Sequence, residues 1–371
     1  MDSPRVDSND TVDEPEERPT LRFLVAFLKA KPSLALYIRQ LTLKLRASRM
    51  GPETKSTGIL TLVKLFQKLP NLERLYVEDG LPLRTTKLET PLTLYKPLIP
   101  HLKEFRVSMS RGTPWVGDLL QILQLFGEVG SLVLEKSYIC PGKRSKIDVL
   151  LASKVACRVH SVTFEDTSIF FKDCPHFFTS AVLRSVQRVE IPALPAIYVA
   201  PVATFLTQAR NSLRHVRFQV HDVHLGMAGS EPDLSYLCPL DFAALRALEI
   251  ITLELPAYDS RGIDLTRSAM FSVPVLLAAG YDFAVRTLAA LAPTLHTVVL
   301  AFDFSYKGRT LDRLWNRMQT DLTELEDALL ARSLRVVEVR DTTGARIAPE
   351  DQRHFRKALR RTQAQGILRL G

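Results

Sequence analysis

The chain has 371 residues, of which 46% are hydrophobic and 24% charged, and its formal net charge is +9. Length alone would indicate about two domains, unless the chain is a repeat array in which each unit extends one continuous core. No uncharged apolar run of about 18 residues is present, and the acidic beginning lacks the apolar stretch of a secretory signal. We therefore expect neither a membrane span nor a signal peptide.

The first twenty residues differ in composition from the rest of the chain. Residues 1–20 carry seven acids against Arg5 and Arg18 and almost nothing to bury, which predicts a disordered acidic tail. The other 351 residues carry 47 basic and 33 acidic side chains, so 47 minus 33 leaves +14, a balance that favours anionic partners or surfaces. No Lys/Arg block with interleaved aromatic residues is present. We therefore attribute the excess to solubility and do not favour nucleic-acid binding.

The four cysteines show no spacing typical of a small disulfide scaffold. Reduced structural thiols are the simplest interpretation, and they indicate a cytoplasmic or nuclear protein. The cysteines are Cys140, Cys157, Cys174 and Cys238.

A repeated apolar pattern dominates the chain from residue 38 to residue 339. Each copy reads apolar, two variable, apolar, one variable, apolar, and the middle copies follow each other every 27–30 residues. The last two apolar positions alternate with polar ones, which predicts a strand with one buried face. The ten copies are Ile38-Leu41-Leu43, Leu72-Leu75-Val77, Leu102-Phe105-Val107, Val129-Leu132-Leu134, Val159-Val162-Phe164, Val186-Val189-Ile191, Leu213-Val216-Phe218, Leu248-Ile251-Leu253, Leu295-Val298-Leu300 and Leu334-Val337-Val339.

Segments with helical spacing lie between the predicted strands. Strand, loop and helix in this order predict parallel strands with crossover helices. A closed eight-stranded barrel is the competing α/β arrangement, but ten strands are predicted, and the variable strand positions are mostly polar rather than the branched apolar residues of a barrel interior. One strand face should therefore be open to solvent. The predicted helices are 59–69, 116–129, 177–186, 199–210, 281–292 and 321–332.

This pattern resembles that of leucine-rich-repeat proteins over roughly residues 34–345. The resemblance implies an irregular α/β solenoid of about ten parallel strand–helix repeats with a curved, open sheet. We assign residues 21–345 to the solenoid and residues 346–371 to a basic capping helix or tail, with Phe355 and Leu359 on one side of that helix. The turn asparagine of the family is replaced here by residues such as Arg46, Gly80, Ser110, Ser137, Thr167 and Asp303.

A narrower resemblance begins at RFLVAFLKAKPSLALYIRQLTLKL, residues 22–45. A Phe-Leu helix, Pro32, an apolar-Tyr-apolar-Arg segment and the first strand are similar to fungal F-box/leucine-rich-repeat proteins at the point where their repeats begin. In that family an upstream F-box of about three helices binds a ligase adaptor, and the repeats select the substrate. No LPxE-type segment lies between Met1 and Arg22. The resemblance therefore extends to the substrate-binding part, and an adaptor is expected only if an F-box lies upstream.

No pattern in the sequence indicates catalysis. Cys157, His160, Cys174 and His176 have a spacing that superficially resembles a zinc site, but the repeat pattern separates the two pairs by a strand and its connection. The sequence has no nucleophile elbow and no complete phosphate loop around Gly142-Lys143. Acid pairs such as Glu165-Asp166 and Glu324-Glu326 fit a solvated face. We expect no catalytic residue, no metal and no cofactor.

The polar side chains between the paired apolar positions are the candidate binding residues. In a leucine-rich-repeat solenoid these positions line the concave sheet, and mixed charges with a tyrosine suit a protein or peptide ligand. The candidates are Arg74, Tyr76, Glu78, Glu104, Arg106, Glu135, Glu165, Arg188 and Arg217.

Three insertions in the last third offer a second candidate surface. Residues 223–240, 255–279 and 303–320 lengthen the connections after copies seven to nine, and long loops on a rigid scaffold often carry recognition. The sequence thus predicts a non-catalytic protein–protein interaction module. Two hypotheses follow for its role: the substrate-recognition part of an F-box-like ubiquitin ligase subunit, or a stand-alone scaffold with no ligase role.

Overall fold

The fold is α/β, with parallel strands that follow one another in chain order, as the repeat pattern predicts. The chain forms two compact units, Met1–Gln187 and Arg188–Gly371. All ten predicted strands are present. The computed structural model describes residues 5–7, 21–44, 59–78, 97–108, 116–135, 156–165, 181–191, 199–219, 242–255, 281, 284–291, 294–302 and 322–371.

The described residues of the first unit form six strands, each paired in parallel with the next of these strands along the chain. The second strand pairs Leu41 with Leu75 of the third strand, and Leu75 in turn pairs with Phe105 of the fourth. The predicted apolar positions therefore stack in rows across the sheet, which places them all on one face. The strands are β1 Arg5–Asp7, β2 Gln40–Lys44, β3 Arg74–Glu78, β4 Ile99–Ser108, β5 Phe126–Glu135 and β6 Arg158–Glu165.

The helices of the first unit cover the apolar face of these strands. In α3, Leu62, Leu65 and Phe66 are buried at helical spacing. The Phe66 ring lies 5.7 Å from that of Phe126, which lies 5.8 Å from that of Phe105. Each such buried side chain stabilises the fold by about 1.5–3 kcal/mol. The helices are α1 Leu21–Ala30, α2 Pro32–Ala35, α3 Ile59–Phe66 and α4 Val116–Leu123, followed by a 3-10 helix at Ala181–Ser185.

The predicted helix at 116–129 is wrong over its last residues. Helix α4 ends at Leu123, and β5 begins at Phe126, which pairs with Ile99 of β4. Glycines allow the two strands to approach: a Cβ atom at Gly127 would lie 2.8 Å from the Pro100 carbonyl oxygen, and one at Gly130 would lie 2.7 Å from that of Lys103. This long-range pairing is not visible in the local sequence pattern.

Six parallel strands, paired in chain order, are also present in the described part of the second unit. Val216 pairs with Ile251 and Val189, and Val298 pairs with both Ile251 and Val337. The strands are β7 Arg188–Ile191, β8 His215–Gln219, β9 Ile250–Leu255, β10 Thr297–Phe302, β11 Val336–Asp341 and β12 Leu368–Leu370.

Helices and aromatic contacts complete the second unit. The Phe218 ring meets Phe242 edge-on with centroids 5.5 Å apart, and Phe302 lies 5.0 Å from Phe355. Both Phe355 and Leu359 of the C-terminal segment are fully buried. The helices are α5 Val199–Ala209, α6 284–290, α7 322–330, α8 Pro349–Ala358 and α9 Arg360–Ala364, with a 3-10 helix at Phe242–Ala244.

Two strands of the second unit depart from the expectation of one solvent-exposed face. On β9 the polar Thr252 and Glu254 are buried, and on β10 Val299 and Ala301 are buried as well. Both faces of these strands are therefore enclosed. The alternation of polar and apolar residues on β9 does not reveal this, because the sequence pattern cannot distinguish a polar side chain in water from one with buried partners.

The acidic tail departs from the expectation at one place. Arg5–Asp7 forms β1, which pairs in parallel with Thr42–Lys44 of β2. This pairing satisfies backbone groups of β2 that a sheet edge would leave unpaired. The other residues of segment 1–20 lie outside the described part, as do the insertions 223–240 and 303–320 and residues 256–279.

Candidate functional site

Seven of the nine predicted site residues come together on one face of the first unit. Arg74 pairs in register with Glu104, Tyr76 with Arg106, and Glu135 with Glu165. Strands that pair in register place equivalent side chains about 5 Å apart. We call this face, formed by the positions of β2–β6 that flank the last two buried apolar residues of each copy, the polar face. The seven residues are Arg74, Tyr76, Glu78, Glu104, Arg106, Glu135 and Glu165.

Arg106 is the centre of an ion-pair network on the polar face. Its Nε atom donates to Glu104 Oε1 at 3.2 Å, and its Nη1 atom donates to Glu135 of the next strand. The guanidinium carbon lies 6.0 Å from the centroid of the Tyr76 ring, and the Tyr76 hydroxyl donates to Glu104 Oε2 at 3.5 Å. This arrangement fixes the guanidinium and the phenol ring relative to each other.

The carboxylates of this network stabilise the protonated, positively charged form of Arg106. Burial alone would lower the pKa of Arg106, but the carboxylates of Glu135, Glu165 and Glu104 outweigh it and raise that pKa above its ordinary value. The side chain still exposes 38% of its surface. Arg106 is therefore both held in place and accessible to a ligand.

A second row of ion pairs lies one residue after the first apolar position of three successive copies. Glu73 accepts hydrogen bonds from Lys103 at 2.7 Å and Arg39 at 3.0 Å, and its pKa is lowered chiefly by the bond from Lys103. These residues were not among the sequence-predicted site residues. Arg39, Glu73 and Lys103 occupy the same position in three successive copies, so alternating charge at one repeat position was the available signal.

Glu128 organises a further group one strand later. His101 Nδ1 lies 3.1 Å from Glu128 Oε2, and His160 contacts the other carboxylate oxygen. Arg158 Nη2 lies 3.8 Å from Glu128 Oε2. The hydrogen bond with His160 is the largest of the causes that lower the pKa of Glu128. These contacts join β4, β5 and β6.

The two remaining predicted residues, Arg188 and Arg217, lie in the second unit. Arg188 donates to Glu190 at 2.6 Å, and Arg217 donates from Nε to Glu254 at 2.7 Å. Glu254 exposes only 2% of its side chain, so its pairing with Arg217 compensates a buried charge. Arg217 thus has a structural role, whereas Arg188 remains about half exposed.

His215 belongs to the same network. Its Nε2 atom lies 3.0 Å from the hydroxyl oxygen of the buried Thr252. Burial, followed by the nearby positive charge of Arg188, lowers the pKa of His215 to about 4, against the opposing effect of Glu190. His215 is therefore neutral near pH 7.

The zinc spacing noted in the sequence is not assembled by the described residues. His160 contacts Glu128, and Cys157 is buried, which together with the charge of Glu128 raises the pKa of its thiol to about 12. Cys174 and His176 lie outside the described ranges, as does Gly142-Lys143. Among the residues that the structure describes, no group of three His, Cys, Asp or Glu side chains is placed to hold a metal ion.

The acid pair Glu324-Glu326 does not lie on a solvated face as expected. Glu324 is exposed, but Glu326 is buried and accepts hydrogen bonds from Arg361 Nε at 2.9 Å and from the backbone N–H of Thr362 at 2.8 Å. The Thr362 hydroxyl donates to the same carboxylate at 3.0 Å. Glu326 therefore fixes α9 against α7.

The described helices are all too short or too polar to cross a bilayer. No protein-family model and no curated protein matches this chain at a significant level.

Proposed function

We propose that the polar face of the first unit is a non-catalytic docking surface for a protein or peptide. The observation that carries this proposal is the fixed pair of Tyr76 and Arg106, held by Glu104 and Glu135 while Arg106 stays partly exposed. Tyrosine and arginine dominate the binding energy of many protein interfaces. A pair whose geometry is already fixed loses less conformational entropy on binding.

The charge of the polar face favours a protein over a nucleic acid. The face carries three cations and four carboxylates, so 3 minus 4 leaves a formal balance of −1, although the chain as a whole carries +9. A phosphate backbone requires an excess of positive charge along its path. A peptide of mixed or basic character instead meets complementary groups on this face. The seven charged side chains are Lys44, Arg74 and Arg106 with Glu78, Glu104, Glu135 and Glu165.

Two biological roles fit such a surface. The resemblance of residues 22–45 to fungal F-box/leucine-rich-repeat proteins supports the substrate-recognition part of an F-box-like ubiquitin ligase subunit. The alternative is a stand-alone scaffold that never meets a ligase adaptor. In either role we place the protein in the cytoplasm or nucleus, without a cofactor or a catalytic residue of its own.

The docking proposal is tested by affinity capture of the full chain from cells, with quantitative mass spectrometry of the bound proteins. The test variant is Tyr76→Ala/Arg106→Ala, and the matched control is Arg353→Ala/Gln363→Ala, which removes one cation and one polar side chain from exposed positions elsewhere. We expect the test variant to lose a defined set of proteins that the control keeps. Identical sets for wild type, test variant and control would refute docking on this face.

The two roles are separated by co-expression with a ligase adaptor. A stable complex with the adaptor would support the ligase role. If the full chain elutes apart from the adaptor, the ligase role fails. If the captured proteins still depend on Tyr76 and Arg106 in that case, the scaffold role is supported.

A further inference from the structure

A second surface of the first unit combines exposed apolar side chains with exposed positive charge. Among the described residues, every large apolar side chain in the exposed class lies between residues 23 and 60. They belong to α1, α2, the turn after α2, and α3. The six side chains are Phe23, Phe27, Leu34, Leu36, Tyr37 and Leu60.

Helix α1 carries exposed as well as buried apolar side chains. Leu24 and Leu28 face the protein interior, whereas Phe23 and Phe27 are 60% and 41% exposed. The large apolar side chains of a surface helix normally face the core. Helix α1 packs against both α2 and α3, so the exposed apolar side chains of the three helices and of the turn after α2 belong to neighbouring elements. We call this surface the helical patch.

The residues after α2 are held firmly at the helical patch. The Tyr37 backbone N–H donates to Leu34 at 3.1 Å, and the Asn71 side chain donates to the Leu36 carbonyl at 2.8 Å. Leu36 and Tyr37 nevertheless expose 53% and 76% of their surface, and Leu60 exposes 59%. Exposed large apolar side chains that are grouped on neighbouring elements, rather than scattered singly, often mark a binding site.

The charged side chains on the segments that form the helical patch are positive. Residues 21–44 and 59–72 contain no Asp or Glu. Five cations of the three helices and their ends are exposed, and none of them forms an ion pair with another residue of the described part. The five cations are Arg22, Lys29, Lys31, Lys64 and Lys68.

We propose that the helical patch binds an acidic amphipathic helix of another protein. Such a helix presents apolar side chains at positions i, i+3, i+4 and i+7, and we expect these to contact the exposed apolar side chains of the helical patch. Carboxylates on the flanks of the same helix pair with the five cations. This surface is separate from the polar face, so the two proposals stand or fall independently.

The other possible occupants fit less well. A second copy of this chain would bring its own five cations against the same five, which costs free energy. Residues 1–20 carry seven acids, but Met1, Val6 and Val12 are their only apolar residues other than prolines and cannot fill the helical patch. An anionic bilayer is an extended surface, so it would also approach residues 1–20. The seven carboxylates of that segment would repel its negative charge.

The test measures fluorescence anisotropy of a labelled 18-residue peptide with leucines at helical spacing and glutamates elsewhere, titrated with the full chain. One control peptide carries lysines in place of the glutamates, and a second has the same composition in scrambled order. We expect the acidic amphipathic peptide to bind at least about tenfold more tightly than either control, which corresponds to roughly 1.4 kcal/mol. Equal binding of the scrambled or the lysine peptide would overturn the proposal.

Variants of the chain assign the binding to the helical patch. Lys29→Glu/Lys31→Glu and Tyr37→Ser/Leu60→Ser should each weaken the peptide at least about tenfold, whereas Arg353→Glu/Lys357→Glu on α8 should change it less than about threefold. All six positions are exposed, so an unchanged thermal transition confirms that each variant folds. An equal loss in the α8 variant would refute the location.

Three further measurements address the other occupants. The first is sedimentation of the chain with phosphatidylserine vesicles. If sedimentation depends on Lys29 and Lys31 and the acidic peptide fails to reduce it, the proposal is overturned in favour of a membrane. Dimerisation that is lost in Tyr37→Ser/Leu60→Ser would overturn it in favour of a second copy. Peptide binding that appears only after Glu14, Glu16 and Glu17 are changed to Gln would instead identify residues 1–20 as the occupant.

Discussion

Strand β3 allows the inward and outward positions of the sheet to be compared at adjacent residues. Leu75 is fully buried and pairs with Leu41 and Phe105, which are equally buried. Arg74 precedes it and is exposed. Leu75→Ala removes a buried isobutyl group from a row of packed side chains, and we expect it to destabilise the protein by about 2–5 kcal/mol. Arg74→Ala should cost less than about 0.5 kcal/mol.

The measurement is differential scanning calorimetry of the full chain, which can resolve separate transitions if the two units unfold independently. For a unit of this size each kcal/mol lowers the midpoint by roughly 2–4 °C, so Leu75→Ala should lower one transition by about 4–20 °C. Tyr76→Ala/Arg106→Ala should cost about 1 kcal/mol, because these side chains are half-buried and paired rather than fully exposed. Equal shifts for Leu75→Ala and Arg74→Ala would refute the assignment of the two faces.

Three further substitutions test contacts that the structure shows elsewhere. Gly130→Ala would place its Cβ 2.7 Å from the Lys103 carbonyl oxygen, and we expect a loss of about 1–3 kcal/mol in urea unfolding, whereas an unchanged midpoint would contradict the close strand approach. Glu326→Ala removes the acceptor of the buried Thr362 N–H and should cost about 1–3 kcal/mol; retained hydrogen-exchange protection of α9 would argue against that role. The pKa of His215 is lowered to about 4 from 6.5, so the unfolded state binds more protons between those values and stability should fall as pH drops through that window, by up to about 3 kcal/mol. His215→Gln should flatten this fall in urea unfolding at pH 7 and pH 5, and the same slope in both proteins would show that another group is responsible.

The strands could be predicted from the sequence because the alternation of apolar and polar residues that determines their buried face lies within each strand. Alternation at Leu75 and Val77, or at Val216 and Phe218, places side chains on one face whatever lies beyond the strand, and these side chains are buried. The start of β5 could not be predicted in the same way. Residues 116–129 have helical apolar spacing throughout, and the break after Leu123 depends on pairing between Phe126 and the distant Ile99.

The polar contacts were less accessible to sequence reasoning. Arg106 and Glu135 are 29 positions apart, and nothing local indicates that their side chains meet. Glu326 has the composition of a surface acid, but partners 35 and 36 positions later allow it to be buried. Candidate residues on the polar face could be identified by their place in the repeat, whereas their partners depend on register between strands.

Site-specific photo-crosslinking in cells tests docking on the polar face most directly. A photoreactive amino acid replaces Ser131 or Thr163, which are partly exposed on β5 and β6, and the matched control position is Arg353 on α8. We predict that the same proteins are cross-linked from Ser131 and Thr163 but not from Arg353, and that Tyr76→Ala/Arg106→Ala abolishes these cross-links. Equal cross-linking of those proteins from Arg353, or cross-links that persist in the double variant, would contradict the account.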